Sequence, residues 1–343
     1  MQPATIATPE GAYPGMIQDI SEAKNLDEVI EMVPALGQEV VAAPASFVWD
    51  DELTDVPNHQ VLVNKETGRP YAISSKKYGI LQHRDALAIC EGMTDYSFNQ
   101  AGVLSDGGTV WVSMRTDSQV VKQYDGQDDE IVPGILALSD HTLTSADLVL
   151  NSCTRLFCNN QIPSVKRNHE ARFSISHRSK IVERMKKAAD IARTSLFSSA
   201  ETLKVFQQLA DTDFSLDRFR TFAEQLLTTH RGESLRPRHE GATGHRESAM
   251  KGNPGFISSA RRQKDLDELT EYFVGGNQGA GPTAWGAYQS VTGWLDHQAE
   301  RLEEGKVTRA KLERIWRSNN TGRNAALKDL AFRHLEARFA PGA

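Results

Sequence analysis

The chain lacks the features that would mark it as membrane-bound or secreted. Its longest apolar runs, such as GILAL at 134–138 and DLVL at 147–150, are far shorter than the roughly 20 residues that a membrane-spanning helix needs. No basic region followed by an apolar stretch opens the chain, so no signal peptide is predicted. We therefore expect a cytoplasmic protein with no membrane association.

Cysteine is scarce, at three residues in 343. An odd and sparse count fits a reducing compartment better than a disulfide framework. Cys153 and Cys158, together with His141, His169 and His177, offer enough sulfur and nitrogen ligands for tetrahedral zinc, but C-x4-C is not the spacing of the common zinc sites. The ordinary interpretation of Cys158 is a small apolar residue buried on a strand.

Catalytic motifs are lacking as well. No glycine-rich loop carries a lysine in the P-loop position, and no H-E-x-x-H or G-x-S-x-G pattern occurs. A nucleophilic Cys158 served by His141 and Asp140 is conceivable, but nothing in the sequence brings these residues together. The acids of DGQDDE, 125–130, are typical of a solvated hairpin tip. We therefore expect no enzymatic activity, no cofactor and no metal.

Basic residues are nearly absent from the start of the chain and concentrated later. Residues 1–60 carry eleven acids against one base, Lys24. Residues 165–194 carry nine bases against three acids, and residues 301–338 carry ten bases against five. This segregation is hidden in the overall net charge of -6. A basic surface beside an acidic segment suits a phosphate-backbone ligand.

The pattern of residues predicts a folded core that follows an arm. Residues 1–45 mix prolines with acids and are predicted to be an acidic, partly disordered arm. Residues 46–198 are predicted to be an α+β core, because two hairpin patterns surround the turns KETGRP (65–70) and SDGG (105–108). Two further apolar runs rich in β-formers follow them, so we expect a mostly antiparallel sheet of about six strands.

From residue 178 the apolar residues take the period of a helix, which we expect to pack on the sheet. A basic stripe at Lys180, Arg184 and Lys187 lies beside its apolar face. Residues 199–343 are predicted to be helical, interrupted by a polar mobile loop at 230–258. The predicted fold class is α+β: a curved, mostly antiparallel sheet packed by a long basic helix, followed by a mainly helical C-terminal half.

Six segments, in this order, resemble one known family. They are YGILQHRDAL (78–87), QAGVLSDGGTVWVSM (100–114), LSDHTLTSA (138–146), TRLFCNNQI (154–162), ISHRSKIVERMKKA (175–188) and PTAWGAYQSVTGWLDH (282–297). The family is the group of phage- and plasmid-borne proteins collected as domain-of-unknown-function family 932. Where that family usually has His-Asp-Gly before Ser, this chain has His141-Thr142-Leu143-Thr144-Ser145.

The resemblance implies a role in the DNA metabolism of mobile elements. The predicted order of elements is also similar to the core of single-strand annealing proteins, which form rings or filaments with a basic outer groove for one DNA strand. By that analogy, basic residues would hold phosphates and two amides would lie at the groove lip. The candidate nucleic-acid-binding residues are Arg155, Asn159, Asn160, Lys166, Arg167, Arg172, Arg178, Lys180, Arg184 and Lys187.

The leading hypothesis is a phage-type protein that binds single-stranded DNA and promotes annealing or recombination without ATP. We expect it to act as a homo-oligomer, in a ring or a filament. The alternative is a regulatory or interaction protein of a mobile element, which binds a host protein partner and has no catalytic activity. Salt-dependent binding to nucleic acid distinguishes the two hypotheses.

Overall fold

The computed structural model describes residues 16–93, 95–117, 119–122, 128–155, 161–163, 172–175, 199–233, 259–275, 281–297 and 307–337. Its strands are β1 (Ile17–Asp19), β2 (Val40–Trp49), β3 (Glu52–Asn64), β4 (Pro70–Ser75), β5 (Ser97–Leu104), β6 (Thr109–Arg115), β7 (Gln119–Lys122), β8 (Asp128–Asp140), β9 (Asp147–Arg155), β10 (Gln161–Pro163) and β11 (Arg172–Ile175). Its α-helices are α1 (Leu26–Met32), α2 (His83–Leu87), α3 (Ser199–Ala210), α4 (Leu216–Glu233), α5 (Ser259–Val274), α6 (Ala284–Asp296), α7 (Arg309–Asn320) and α8 (Arg323–Ala337).

The strands form two sheets. The larger sheet has eight strands in the order β1-β5-β6-β8-β9-β10, with β7 paired to β8 and β11 paired to β9. Neighbours along that path are antiparallel, and β11 is antiparallel to β9. The smaller sheet has the order β2-β3-β4 and is also antiparallel. The predicted α+β class with antiparallel sheets and a mainly helical second half is confirmed.

The described residues group into two compact units. The first comprises the described parts of Met1–Gln119, Glu130–Ala200 and Ala299–Trp316, and the second comprises those of Val120–Asp129, Glu201–Gln298 and Arg317–Ala343. The predicted boundaries at 45/46 and 198/199 stay predictions. None of the helices in the described ranges is both long and apolar enough to be a candidate for crossing a membrane.

The turn between β3 and β4 forms as its residues predict. The Asn64 side-chain oxygen accepts hydrogen bonds from the backbone N–H groups of Glu66 (2.9 Å) and Thr67 (3.0 Å). Gly68 then adopts a φ of 68°, which costs glycine little because it has no Cβ. Asn and Gly are common turn residues for these two reasons, so the KETGRP hairpin could be predicted from local sequence.

The SDGG stretch forms the turn between β5 and β6. Ser105 and Asp106 both have a φ of 51°, and Gly107 has a φ of 97°. Glycine is needed at 107 for a second reason, because a Cβ there would lie 2.9 Å from both the Gln38 side-chain oxygen and the Tyr71 hydroxyl. The turn therefore depends on packing against the smaller sheet as well as on backbone conformation.

Helix α1 begins after Asn25, which caps it. The Asn25 side chain accepts a hydrogen bond from the Glu28 N–H at 2.9 Å, which satisfies a backbone donor that a helix start leaves unpaired. The Glu28 carboxylate accepts a hydrogen bond from the Lys24 N–H, one residue before the cap, at 2.8 Å. Leu26 and Val29 are fully buried on the inner side of the helix.

The segment interpreted as an arm contributes to the core wherever the structure describes it. Ile20, Leu26, Val29, Val33 and Leu36 belong to one buried cluster with residues of β5, β6 and β8. The apolar positions of α1 and of the following turn recur at helical spacing, which places them on one face. Residues 17–36 therefore pair with or pack against the larger sheet, and residues 40–45 belong to β2 of the smaller sheet.

The opposite face of the same sheet is covered by helix α7. The Trp316 ring stacks on the Trp111 ring with centroids 5.0 Å apart, and Leu312 belongs to the same cluster. Gly102 faces the Trp111 ring so closely that a Cβ there would lie 2.5 Å from it. Helix α7 lies within the region predicted to be helical, and Leu312, Ile315 and Trp316 show the spacing of one helix face.

Helices form the core of the second unit around aromatic side chains. The Phe206 ring lies 4.8 Å from that of Trp285, and the Tyr288 ring lies 5.4 Å from that of Phe332. Every residue of α6 from 284 to 295 is buried. Trp285, Tyr288, Val291 and Leu295 recur at the spacing of one helix face, but the helix is buried on all sides rather than on one.

Three further predictions are affected by the structure. The acids of DGQDDE do not all lie at a solvated tip, because Asp129 is 1% exposed and accepts a hydrogen bond from the Trp285 indole at 2.9 Å. Residues 230–233 of the predicted mobile loop belong to α4. The remainder of that loop, at 234–258, and the predicted long basic helix lie outside the described residues.

Candidate functional site

Two of the ten predicted nucleic-acid-binding residues are in described strands. Arg155 is the last residue of β9 and is opposite Ile131 of β8, and Arg172 is the first residue of β11 and is opposite Leu150 of β9. This register places the two arginines five positions apart along β9. The other eight lie outside the described residues: Asn159, Asn160, Lys166, Arg167, Arg178, Lys180, Arg184 and Lys187.

Strands β10 and β11 share one side of β9. β10 pairs with residues 152–154 of β9, and β11 pairs with residues 147–150, while β8 occupies the other side. Among the described strands, β10 and β11 pair with β9 alone. Two short strands that follow β9 in the sequence therefore pair with it one after the other along the same side.

The residues considered for zinc or nucleophilic chemistry are not brought together in the described structure. Cys158, His169 and His177 lie outside it. Within the described ranges there is no group of three or more histidine, cysteine, aspartate or glutamate side chains suited to a metal ion. Cys90 is buried, and burial raises the pKa of its thiol to about 12, so at neutral pH it is not a nucleophile.

A buried polar cluster lies instead where β6, β8 and α2 meet, centred on the Asp140 carboxylate. Its Oδ1 accepts hydrogen bonds from the Thr109 hydroxyl and from the N–H (3.1 Å) and hydroxyl (2.6 Å) of Thr142. Its Oδ2 accepts from the Thr144 hydroxyl (3.1 Å) and from the N–H (2.6 Å) and hydroxyl (3.2 Å) of Ser145. Six donors surround a group with about four lone-pair sites, so Asp140 is fully engaged in holding the loop.

His83, the first residue of α2, is the second member of this cluster. It is 0% exposed, and its Nε2 lies 2.8 Å from the Gly107 carbonyl oxygen while its Nδ1 lies 2.9 Å from the Ser139 hydroxyl. A carbonyl only accepts, so Nε2 carries the proton, and a neutral ring then accepts from Ser139 at Nδ1. The imidazole thereby joins the β5–β6 turn to β8.

His141 and Tyr78 complete the cluster. The His141 ring centroid lies 4.6 Å from that of His83, and the Tyr78 hydroxyl lies 3.4 Å from Nδ1 of His141. Burial, and then the charges of Asp147 and Asp140, raise the pKa of the Tyr78 phenol. The phenol therefore stays protonated at physiological pH and can donate to the imidazole.

The loop that Asp140 holds reaches the surface at Leu143. This residue has a φ of 61° and its side chain is 44% exposed. A positive φ carries a steric cost for a residue with a Cβ. The hydrogen bonds that Thr142, Thr144 and Ser145 donate to Asp140 hold the loop in this conformation.

The sequence did not predict this cluster. Only Asp140 and His141 were considered there, and they were considered only as partners of Cys158. Its other members are scattered: Tyr78 and His83 precede Asp140 by some sixty residues. A signal was present, because three of the six segments that carry the family resemblance, 78–87, 100–114 and 138–146, converge on it. The cluster is a structural support for these segments, because the groups at its centre are in contact with one another.

A scan against protein-family models matches residues 70–327 to the family described as "Domain of unknown function (DUF932)". This span covers three quarters of the chain and contains all six segments of the resemblance. Searches of curated proteins and of solved structures gave no match. The chain therefore belongs to the DUF932 family.

Proposed function

We propose that this protein binds single-stranded DNA and promotes the annealing of complementary strands without ATP. It acts as a homo-oligomer, in the cytoplasm of a bacterial host, and uses neither a metal nor a cofactor. Its role in a phage or plasmid is recombination or repair of the element's DNA. Alignment of two strands on a basic surface, rather than bond-making by a side chain, is the mechanism.

The observation that carries the proposal is the position of the first basic residues after β8. Arg155 ends β9 at the sheet edge, Arg172 begins β11 beside the same strand, and residues 165–194 carry nine bases against three acids. Lysine and arginine that neutralise phosphates release condensed counterions, which supplies most of the affinity for a nucleic-acid backbone. A sheet with arginines on two of its strands, followed in the sequence by further bases, therefore suits a phosphate chain.

Aromatic and amide residues occur between these bases. Phe157 and Phe173 precede and interrupt the basic segment, and Asn159 and Asn160 follow Phe157 directly. Stacking of bases on aromatic rings, combined with backbone charge, is how single strands are held without sequence preference. This composition favours a single strand over a duplex, whose bases are already stacked on each other.

The buried polar cluster supports the same proposal in an indirect way. Asp140 and His83 hold the ends of β6 and β8 together, and β9 pairs with β8 over residues 131–138. This end of β8 lies beside the start of β9, with which β11 pairs, and not beside Arg155. Strands that are held in place fix the backbone of Arg172, which lowers the ordering cost of binding.

The test is the salt dependence of binding to a fluorescent oligonucleotide. Replacing Lys180, Arg184 and Lys187 by alanine is expected to weaken binding and to flatten the plot of log affinity against log salt. With about 0.7 counterions released per phosphate contact on a single strand, three lost contacts reduce the slope by roughly two. Fluorescence anisotropy at several salt concentrations measures this slope.

A matched control removes the same charge elsewhere. Lys76, Lys77 and Lys264 are exposed, and their replacement by alanine lowers the net charge equally. We expect the control to keep the wild-type slope. If the wild-type chain binds no DNA, if its binding is insensitive to salt, or if the control loses as much as the test variant, the proposed function is wrong.

A further inference from the structure

The smaller sheet projects a two-stranded ribbon. β4 pairs only with residues 59–63 of β3, whereas β2 and β3 stay paired out to Trp49 and Glu52. Residues 46–55, here called the ribbon tip, therefore lack a third strand among the described residues. The turn at its end has a positive φ at both central positions, Asp50 (53°) and Asp51 (61°), as a tight hairpin turn requires.

The ribbon tip exposes large apolar side chains on both of its faces. Phe47 is 47% exposed, Val48 67%, Trp49 75% and Leu53 75%. Val48 lies opposite Leu53 on one face, and successive residues of a strand alternate, so Phe47 and Trp49 lie on the other. A two-stranded hairpin is marginally stable in water on its own, and clustered exposed apolar residues mark an interaction surface.

The charge of the ribbon tip selects its partner. Asp50, Asp51, Glu52 and Asp55 are all exposed, and residues 46–58 include no lysine or arginine. Nucleic acid is repelled by such a surface, and so is a second ribbon tip, because like charges placed opposite each other are unfavourable. The surface that fits is basic, with an exposed apolar residue of its own.

The start of helix α7 has this complementary character. Val307, just before the helix, is 44% exposed. Ala310 and Arg314 are exposed and Lys311 is partly exposed, and the spacing of these three places them on one face of the helix. This set, here called the α7 face, carries two bases and no acid around two small apolar groups.

We propose that the ribbon tip of one copy docks on the α7 face of a second copy of this chain. Val48 and Leu53, which share one face of the ribbon, would cover Val307 and Ala310, while Asp55 on that face and Glu52 beside the turn would face Lys311 and Arg314. The two surfaces differ, so the contact is heterologous and generates a ring if the rotation closes or a filament if it does not.

The inference rests on the oligomeric part of the proposed function and names the surfaces that form the oligomer. It does not depend on DNA binding, because neither surface includes a candidate DNA contact. The two can therefore fail separately, and self-association and DNA binding are measured on the same samples.

Reciprocal charge reversal tests the contact in the full chain. Glu52→Lys with Asp55→Lys leaves the turn residues unchanged, and Lys311→Glu with Arg314→Glu alters the other surface. Each pair alone is expected to weaken self-association by about tenfold or more, because like charges then meet. All four changes together should restore it to within about threefold of wild type. Mass photometry over a concentration series measures the assembly.

The control pair is Glu22→Lys with Glu31→Lys, two exposed acids of the same unit that lie outside the ribbon tip. Normal assembly of the control, with loss in each test pair and recovery in the combination, supports the proposal. A monomeric wild type, undiminished assembly of either test pair, or a combination that stays monomeric overturns it. Wild-type assembly without DNA binding overturns the proposed function instead and leaves the ribbon contact intact.

Discussion

Replacing Asp140 by alanine is expected to lower the free energy of unfolding by about 3–5 kcal/mol, because several donors lose one charged acceptor and a hydrogen bond to a charged group contributes about 1.5–3 kcal/mol. Six donors lose their acceptor, and one of them, the Thr109 hydroxyl, belongs to a residue that is 0% exposed. Each buried donor left without a partner costs about 1–3 kcal/mol. Urea unfolding followed by circular dichroism measures the loss.

Two comparisons make the Asp140 result specific. Asp95 is exposed, and its replacement by alanine is expected to change stability by no more than about 0.5 kcal/mol. Asp140→Asn keeps the shape of the side chain but turns one oxygen into a donor, so it should lose the three bonds at that atom and keep those at the other. A loss below about 1 kcal/mol for Asp140→Ala would show that the cluster does not hold β6 and β8 together.

Replacing Lys328 by methionine is expected to destabilise the second unit by about 3–5 kcal/mol. The Lys328 ammonium group is 0% exposed and pairs with the Asp296 carboxylate, itself 12% exposed. Methionine fills a similar volume but leaves Asp296 as an uncompensated charge, and breaking one side of a buried pair costs more than removing both sides. The double variant Lys328→Met with Asp296→Asn should therefore recover most of the loss. A double variant as unstable as the single one would contradict this explanation.

The pair also predicts a pH dependence. Burial lowers the pKa of Lys328 below its ordinary value, although the charge of Asp296 opposes this shift. Between the native pKa and the ordinary lysine value, the unfolded chain binds the proton more tightly than the folded one, so this lysine makes stability rise with pH. Lys328→Met should lack that contribution. The difference in the free energy of unfolding between wild type and Lys328→Met should therefore change over alkaline pH, and this change is the measurement.

Local turns could be predicted from sequence because they depend on neighbouring residues. Asn64 and Gly68 set the β3–β4 turn, and Ser105 to Gly107 set the β5–β6 turn. Helix α6 could be predicted from the spacing of Trp285 and Tyr288. The sequence did not reveal that its polar positions are buried too, since burial of Gln289 or Thr292 depends on helices far along the chain.

The failures have a common physical origin in long-range contacts. Asp129 looked solvated because its neighbours are acidic, yet its partner Trp285 is 156 residues away. Residues 1–45 were predicted to be an arm because prolines and acids are mixed there, but Leu26 and Val29 of α1 are buried in the core. His83 and Ser139, 56 residues apart, form one hydrogen bond. Charge composition describes the exposed side of a segment and says little about which side is buried.

The candidate site likewise has a part that the sequence predicts and a part that only the fold reveals. Sequence composition located the basic segment, and the structure adds that Arg155 and Arg172 are in the paired strands β9 and β11. The buried cluster of Asp140, His83 and His141 could not be predicted, because it forms only when three segments that are distant in the sequence meet in the fold. The ribbon tip could not be recognised from the sequence, because Trp49 and Leu53 have the alternation of an ordinary strand. Only the structure shows that both side chains are exposed.

The central claim is that the protein brings complementary single strands together without nucleotide. Two complementary oligonucleotides, one carrying a fluorophore and the other a quencher, are mixed with the full chain in the absence of ATP and magnesium. Concentrating strands on a basic surface should accelerate annealing by tenfold or more at low salt, and the gain should fall in high salt and in the Lys180, Arg184 and Lys187 alanine variant. Annealing at the protein-free rate, at every salt concentration and protein concentration tried, would contradict the account.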